Sequence, residues 1–251
     1  MKTTFFTQCR SILLLWLTQA LSSLGSAMTN FALVVWSYGQ YGSALTTALL
    51  TVCAYAPYVL LSIFAGALSD RWDKKRTMLV CDSLAALCTL WVLGLLVAGE
   101  LKIWHLYLNN ALNGLMNTVQ QPASDVAMTM ITPKKYYQKT SGLRSFSSSL
   151  VTILNPVFAT ALYAFAGMDI VIYVDLITFT IAFFALLFGV KLSMPEQREE
   201  AGQESFLETV KAGLVCLKDN ELVFVLILFL AGVNFVASAF DAVLPALILP
   251  R

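Results

Sequence analysis

The stretch Gly66-Ala-Leu-Ser-Asp-Arg-Trp-Asp-Lys-Lys-Arg-Thr77 sets six charged residues into twelve positions between two long apolar runs, 46–65 and 78–98. An apolar chain that leaves a bilayer and re-enters at once needs a short polar connector there. Lys and Arg suit that connector because cytoplasmic loops retain them. Read this way, the stretch is a tight inner turn between two membrane-crossing helices, with Gly66 closing the first of them and Asp70 and Asp73 facing the positive end of the second.

The rest of the chain agrees. Of 251 residues, 58% are hydrophobic and only 12% charged, whereas soluble domains devote about a quarter of their residues to charge. That excludes an ordinary soluble protein. The apolar residues fall into blocks long enough to span a bilayer, for which about 20 residues suffice. The spans read 11–37, 43–68, 76–98, 103–131, 141–166, 169–192 and 222–249, the fourth being the least apolar. The fold class is therefore all-α, a polytopic membrane protein. The first span is too long for a signal-peptide core and reads as a retained helix.

Charge sets the orientation. With the amino terminus in the cytoplasm, the inner segments hold 14 of the 16 cations, in clusters at Lys2–Arg10, Arg71–Arg76, Lys134–Arg144 and Lys191–Lys218, leaving Lys102 and Arg251 outside. The reverse orientation would put nearly all of them on the wrong face. The five cysteines form no disulfide framework and no metal-ligand spacing. Nothing reads as nucleic-acid binding, and no Walker-type phosphate loop supplies an ATP site. No cofactor or metal is expected.

Polar residues inside the spans carry the functional signal. Gln19, Ser23, Ser26 and Asn30 recur at helical spacing on the first span; Asn109, Asn113, Asn117, Gln121 and Ser124 do so on the fourth, beside Asn110 and Gln120. Such a face turns either toward a water-filled cavity or toward a neighbouring helix that hydrogen-bonds to it. The fifth span continues the habit to Asn155-Pro156, and the seventh carries Asn234, Ser238 and Asp241 on one face. Asp125 reads either as a functional carboxylate or as a partner of Lys134 or Arg144. Asp82 reads as neutralised by the basic turn, and Asp175 as either a structural or a proton-carrying group. His105, the one histidine, sits beside Trp104 and Tyr107 in what looks like an interfacial belt. With no nucleophile–base pair evident, an enzyme is not expected.

Gly66-x-Leu68-x-Asp70-Arg71-x-x-Lys74-Lys75 resembles the loop between the second and third helices of major facilitator transporters. Together with the Gln-Pro-Ala run after the fourth-span stripe and Val-Asp175-Leu in the sixth span, it is similar to bacterial drug exporters of the macrolide-efflux type. The resemblance implies a six-helix N-terminal bundle (1–192), a cytoplasmic linker with an amphipathic helix (193–221), and a seventh helix (222–251) opening a C-terminal half that is missing. It implies a multi-pass protein of the bacterial inner membrane that exports a hydrophobic or amphipathic small molecule. Protons or another ion would drive that export, and the other partners would be the lipid bilayer and the missing half. A non-transporting fragment or assembly partner is the alternative, as is another cargo, such as siderophore export or sugar uptake.

On this resemblance Gln19, Asn30, Asn113, Asn117, Gln121 and Asn234 would line the substrate cavity. Asp175 and Asp241 would couple to the ion. Gly66, Asp70, Arg71, Lys74 and Lys75 would govern gating, with Asp70 facing a helix end of the other half and the cations meeting lipid headgroups or acidic partners. The chain departs from the family pattern at three places. Asp73 replaces the usual loop glycine, Asn113 replaces the arginine of proton-coupled exporters, and Asn155-Pro156 replaces the antiporter Gly-Pro.

Overall fold

A computed structural model describes residues 2–189 and 220–248, with the backbone alone for 2–11, 44, 63, 66–71, 235 and 237–248. The helices are α1 (Lys2–Tyr41), α2 (Ala44–Arg71), α3 (Lys74–Val97) and α4 (Ile103–Ile131). A 3₁₀ turn, Lys134–Tyr136, leads into the helical run Tyr137–Phe184. That run is interrupted at Gly167, whose φ of 85° is open to glycine but strained for other residues. The break divides it into α5 (137–166) and α6 (168–184), and a π turn, Ala185–Gly189, closes α6. α7 (Glu221–Ile248) belongs to a separate unit from the bundle of α1–α6. No strand occurs among the described residues. The linker and its expected amphipathic helix lie outside the described residues, apart from the start of α7.

Four stretches of described residues are long and apolar enough to cross a membrane: Ile12–Tyr41, Leu45–Ser62, Lys74–Val97 and Lys134–Gly189. The last has 56 residues, about 84 Å at 1.5 Å per residue, enough for the two crossings that Gly167 separates. α4 is missing from this set because its asparagines and glutamines dilute its hydropathy. Large side chains such as Val59, Leu60 and Phe165 are more than 70% exposed. On a helix bundle of this composition such a surface is suited to lipid.

The charged turn differs from its expectation. α2 does not stop at Gly66 but runs on to Arg71, so the connector is only Trp72-Asp73. What ends the run is the start of the next helix. Asp73 adopts an extended backbone and its Oδ1 accepts from the Arg76 N–H at 2.7 Å, capping α3. Lys75 Nζ donates to the Leu187 carbonyl at 2.8 Å, satisfying an oxygen of the π turn at the end of α6. Lys74, expected to meet lipid headgroups or acidic partners, is buried, and its Nζ donates to the Trp72 carbonyl.

Close approaches fix the packing. α2 and α4 lie parallel, joined by Tyr107 Oη to the Thr46 carbonyl and Asn110 Nδ2 to the Leu50 carbonyl. One turn further on, a Cβ on Gly114 would stand 2.1 Å from the Ala54 carbonyl oxygen. α1 and α6 run antiparallel, with Gly25 against Asp175 and Thr178, and Leu14 against Gly189. Trp16 Nε1 ties α1 to the Leu143 carbonyl of α5.

The interior is layered. One apolar cluster gathers Leu33, Leu50, Leu93, Leu106 and Ile172; a second, toward the charged turn, gathers Leu15, Met78, Ala127 and Leu186. Between these clusters, α1, α3, α4 and α6 each pass through a polar stretch containing Ser26, Asp82, Asn113 and Asp175 respectively.

Candidate functional site

The α4 stripe turns one edge toward a cavity of about 660 Å³ between α1, α2, α4 and α5. Asn113, Asn117 and Gln121 project from α4, Asn30 from α1 and Asn155 from α5. Phe31, Tyr55 and Tyr58 add aromatic wall to the same space. The volume falls within the range of about 300–1,000 Å³ typical of small-molecule sites. Every polar group on this wall is uncharged, so the cavity offers hydrogen bonds and π surface without a fixed ion. The Asn155 Oδ1 is buried and accepts from no described residue.

A second, smaller chamber of about 70 Å³ lies behind α4, bounded by α1, α3, α4 and α6. Asn30, Asn113 and Asn117 line both spaces, standing between them. At one end Asp175, 5% exposed, accepts from the Ser26 hydroxyl at 3.0 Å. Thr29 Oγ1 lies close to the same carboxylate but completes no hydrogen bond in good geometry. On another wall is Gln120, whose Nε2 donates at 2.5 Å to Asp82 on α3. Among the described residues the partner of Asp82 is therefore an α4 amide, because α3 carries it inward past the basic turn.

Other expected residues fall elsewhere. Gln19 lines neither space, and its Nε2 is buried without a described partner. Asn234 sits on α7 and donates to its own helix at the Leu230 carbonyl. The surroundings of Gly66 and the side chains of Asp70, Arg71 and Asp241 lie outside the described residues. Asp125 forms an ion pair with Arg144 and accepts from Gln121. His105 is structural: its Nδ1 accepts from the Lys102 N–H at 3.0 Å, its ring lies against Trp104, and Trp91 meets it edge-on.

Sequence reasoning did not anticipate the tyrosine wall of α2 or the Ser26–Asp175 and Asp82–Gln120 pairs. Thr51, Tyr55 and Tyr58 recur at spacings of four and three, so a helical-face signal existed for the wall. The pairs depend on which helices touch, and no spacing within one helix reveals that.

Among the described residues, a helical bundle with an apolar surface suited to lipid and an open, uncharged polar cavity defines the class as a multi-pass membrane protein. The chain belongs to the Major Facilitator Superfamily, whose sequence profile matches residues 15–250. It is 22% identical over 231 residues to macrolide efflux protein A of Streptococcus pyogenes, covering 92% of this chain and 57% of that protein. It is 25% identical over 249 residues to the uncharacterized MFS-type transporter YfiS of Bacillus subtilis, covering 96% and 57%. A staphyloferrin A transporter of Staphylococcus aureus is 23% identical over 156 residues, covering 62% and 38%. The chain thus spans less than two thirds of the length of these relatives. The family is one of membrane transporters, not enzymes, and the resemblance read from the charged turn is confirmed at family level.

Proposed function

We propose that this chain forms one wall of an ion-driven secondary transporter that exports a hydrophobic or amphipathic small molecule by alternating access, with its amino terminus in the cytoplasm. The observation that carries the reading is the cavity wall itself, which combines uncharged amides of α1, α4 and α5 with aromatic rings of α1 and α2. A solute with a large apolar body and scattered hydrogen-bonding groups is complementary to such a wall, whereas a small ion or a strongly charged solute is not. The likeness to a macrolide efflux protein supports the same class of cargo.

Asn30, Asn117 and Gln121 are exposed on the bundle. In a bilayer such groups need a facing protein wall, which we assign to a second half of the same transporter. Asn234 and Gln19 would each contact solute at some stage of the cycle. The two halves rock about a site near mid-membrane in folds of this kind. Asp175 and Asp241 would carry the coupling ion. The Gly66–Lys75 turn would brace the inner mouth, with Asp70 and Arg71 meeting the other half and Lys74 and Lys75 holding the turn to the bundle.

Efflux of a fluorescent amphipathic dye and of a macrolide, measured in cells making the protein with its second half, tests the reading. Asn113→Leu and Asn117→Leu should each lower efflux about tenfold or more, the effect of losing a hydrogen bond worth about 1.5 kcal/mol at a desolvated site. Asp70→Asn should abolish efflux with membrane insertion unchanged. Wild-type efflux in all three variants would sink the proposal.

A further inference from the structure

We propose that Lys135, Lys139 and a notch at Gly142 bind the headgroup of one anionic phospholipid, whose acyl chain lies along Phe146, Leu150 and Ile153 of α5. The site goes beyond the export reading and needs only the membrane assignment.

Charge gives the sign of the ligand. Lys135 and Lys139 stand four residues apart where the 3₁₀ turn leads into α5, and both are exposed. Each Nζ lies 5.8 Å from the centre of the Tyr136 ring, a cation–π contact on either side, so the two ammonium groups are at most twice that distance apart. Among the described residues neither has a carboxylate within ion-pair distance. Like charges four residues apart repel on a helical surface, and an anion between them replaces repulsion with attraction. The flexible lysine stems let both ammonium groups reach one phosphate. Arg144 stands apart from them, about 150° round the helix at 100° per residue, and is paired with Asp125.

The residues that follow point to a lipid as the source of that phosphate. Lys139, Phe146, Leu150 and Ile153 are separated by seven, four and three residues and so share one face of α5. The three apolar members are 55%, 37% and 67% exposed. At 1.5 Å per residue Phe146 lies about 10 Å and Ile153 about 21 Å from Lys139 along the axis. One leaflet, measured from its headgroups, is about 20 Å deep. A pair of cations heading an apolar row one leaflet long matches a phospholipid in both charge and length.

Gly142 falls inside the row, three residues after Lys139 and four before Phe146, with open space where its Cβ would be. Glycine weakens an exposed helix relative to alanine, and no packing contact requires it at this position. The notch gives the lipid's glycerol a seat against the helix, between the lysines and the first apolar side chain.

This face is distinct from the one suited to a second half. Ser141, Ser145, Ser148 and Thr152 form an exposed polar face about 140° round the helix, whereas the lysine row presents the apolar side chains that acyl chains accept. The row starts at the same end of the bundle as the charged turn, because α2 and α4 run parallel. Anionic lipids concentrate beside juxtamembrane cations of this kind.

Native mass spectrometry of the full chain, released from nanodiscs of equal phosphatidylglycerol and phosphatidylcholine content, tests the site by counting the lipid that stays bound. The wild-type chain should retain a phosphatidylglycerol in preference to phosphatidylcholine. Lys135→Gln and Lys139→Gln should each lower that preference about fivefold, the effect of one cation at the membrane surface. Gly142→Leu, which leaves the charge untouched and fills the notch, should lower it as well. Lys134 borders a different groove, lined by Asp125 and Tyr137, so Lys134→Gln should leave the preference unchanged. All four positions are exposed, so these variants keep the fold. Equal retention of the two lipids by the wild type, an unchanged preference in Gly142→Leu, or equal losses in Lys134→Gln and Lys139→Gln would overturn the proposal. Displacement of the bound lipid by excess inorganic phosphate would overturn it too, by showing a site for free anions. No solute or ion gradient enters this measurement, so its failure would leave the export reading to the efflux assay.

Discussion

A missing methyl group decides how closely α2 approaches α4. Gly114 faces the Ala54 carbonyl so tightly that a Cβ would lie 2.1 Å from its oxygen, and the obstacle is backbone that cannot rotate aside. Overpacking of this kind costs about 1–3 kcal/mol. Gly114→Val should lower the melting temperature of the detergent-solubilised chain. Gly94, with open space where its Cβ would be, is the control: Gly94→Ala should leave that temperature unchanged or raise it slightly. Equal melting of Gly114→Val and wild type would show that the two helices are not pressed together there. At the same scale, Asp125 illustrates what local pattern reveals. Its pairing with Arg144 was one of two partners foreseeable from position, because both residues lie near the charged end of the bundle. As both are more than a third exposed, the pair adds at most about 1 kcal/mol.

At the scale of the element, hydropathy marks the slab a helix crosses, not the point at which it ends. α1 and α2 were legible as spans 11–37 and 43–68, yet they run over Lys2–Tyr41 and Ala44–Arg71. Capping governs those ends, and Asp73 shows it by stopping α2 only through starting α3. Asp73→Ala should destabilise the α2–α3 turn by about 0.5–2 kcal/mol, and Asp73→Ser should restore most of it. Hydrogen exchange of the Arg76 amide reads this directly. The break between α5 and α6 was visible in sequence because the apolar run is too long for one crossing and Gly167 and Asp169 interrupt it. The stripes of α1 and α4 were legible too, since a 3–4 residue period needs only one helix. The Ser26–Asp175 and Asp82–Gln120 contacts were not, because each is a property of two helices in register. The asparagine lane shows the same boundary of inference: its members could be read from α4 alone, but only packing shows that Asn113 and Asn117 have a cavity on one side and a chamber on the other.

For the whole molecule, the layering of the bundle is the central feature. Apolar clusters lie on either side of a polar middle, and the amides of that middle face a space large enough for a small molecule. That arrangement separates a transporter's wall from a merely stable helical bundle, whose polar groups would all be spent on neighbouring helices. Accessibility to water distinguishes the two most directly. Single cysteines placed at Asn30, Asn117 and Gln121, in a chain whose own cysteines are replaced, should react with a membrane-impermeant thiol reagent. A cysteine at Val59, on the lipid-suited face, should not. Bound amphipathic solute should slow the reaction at all three cavity positions. Should those three prove as unreactive as Val59 in every condition, with or without solute, the lane is sealed by protein and the account of a water-filled transport cavity is wrong.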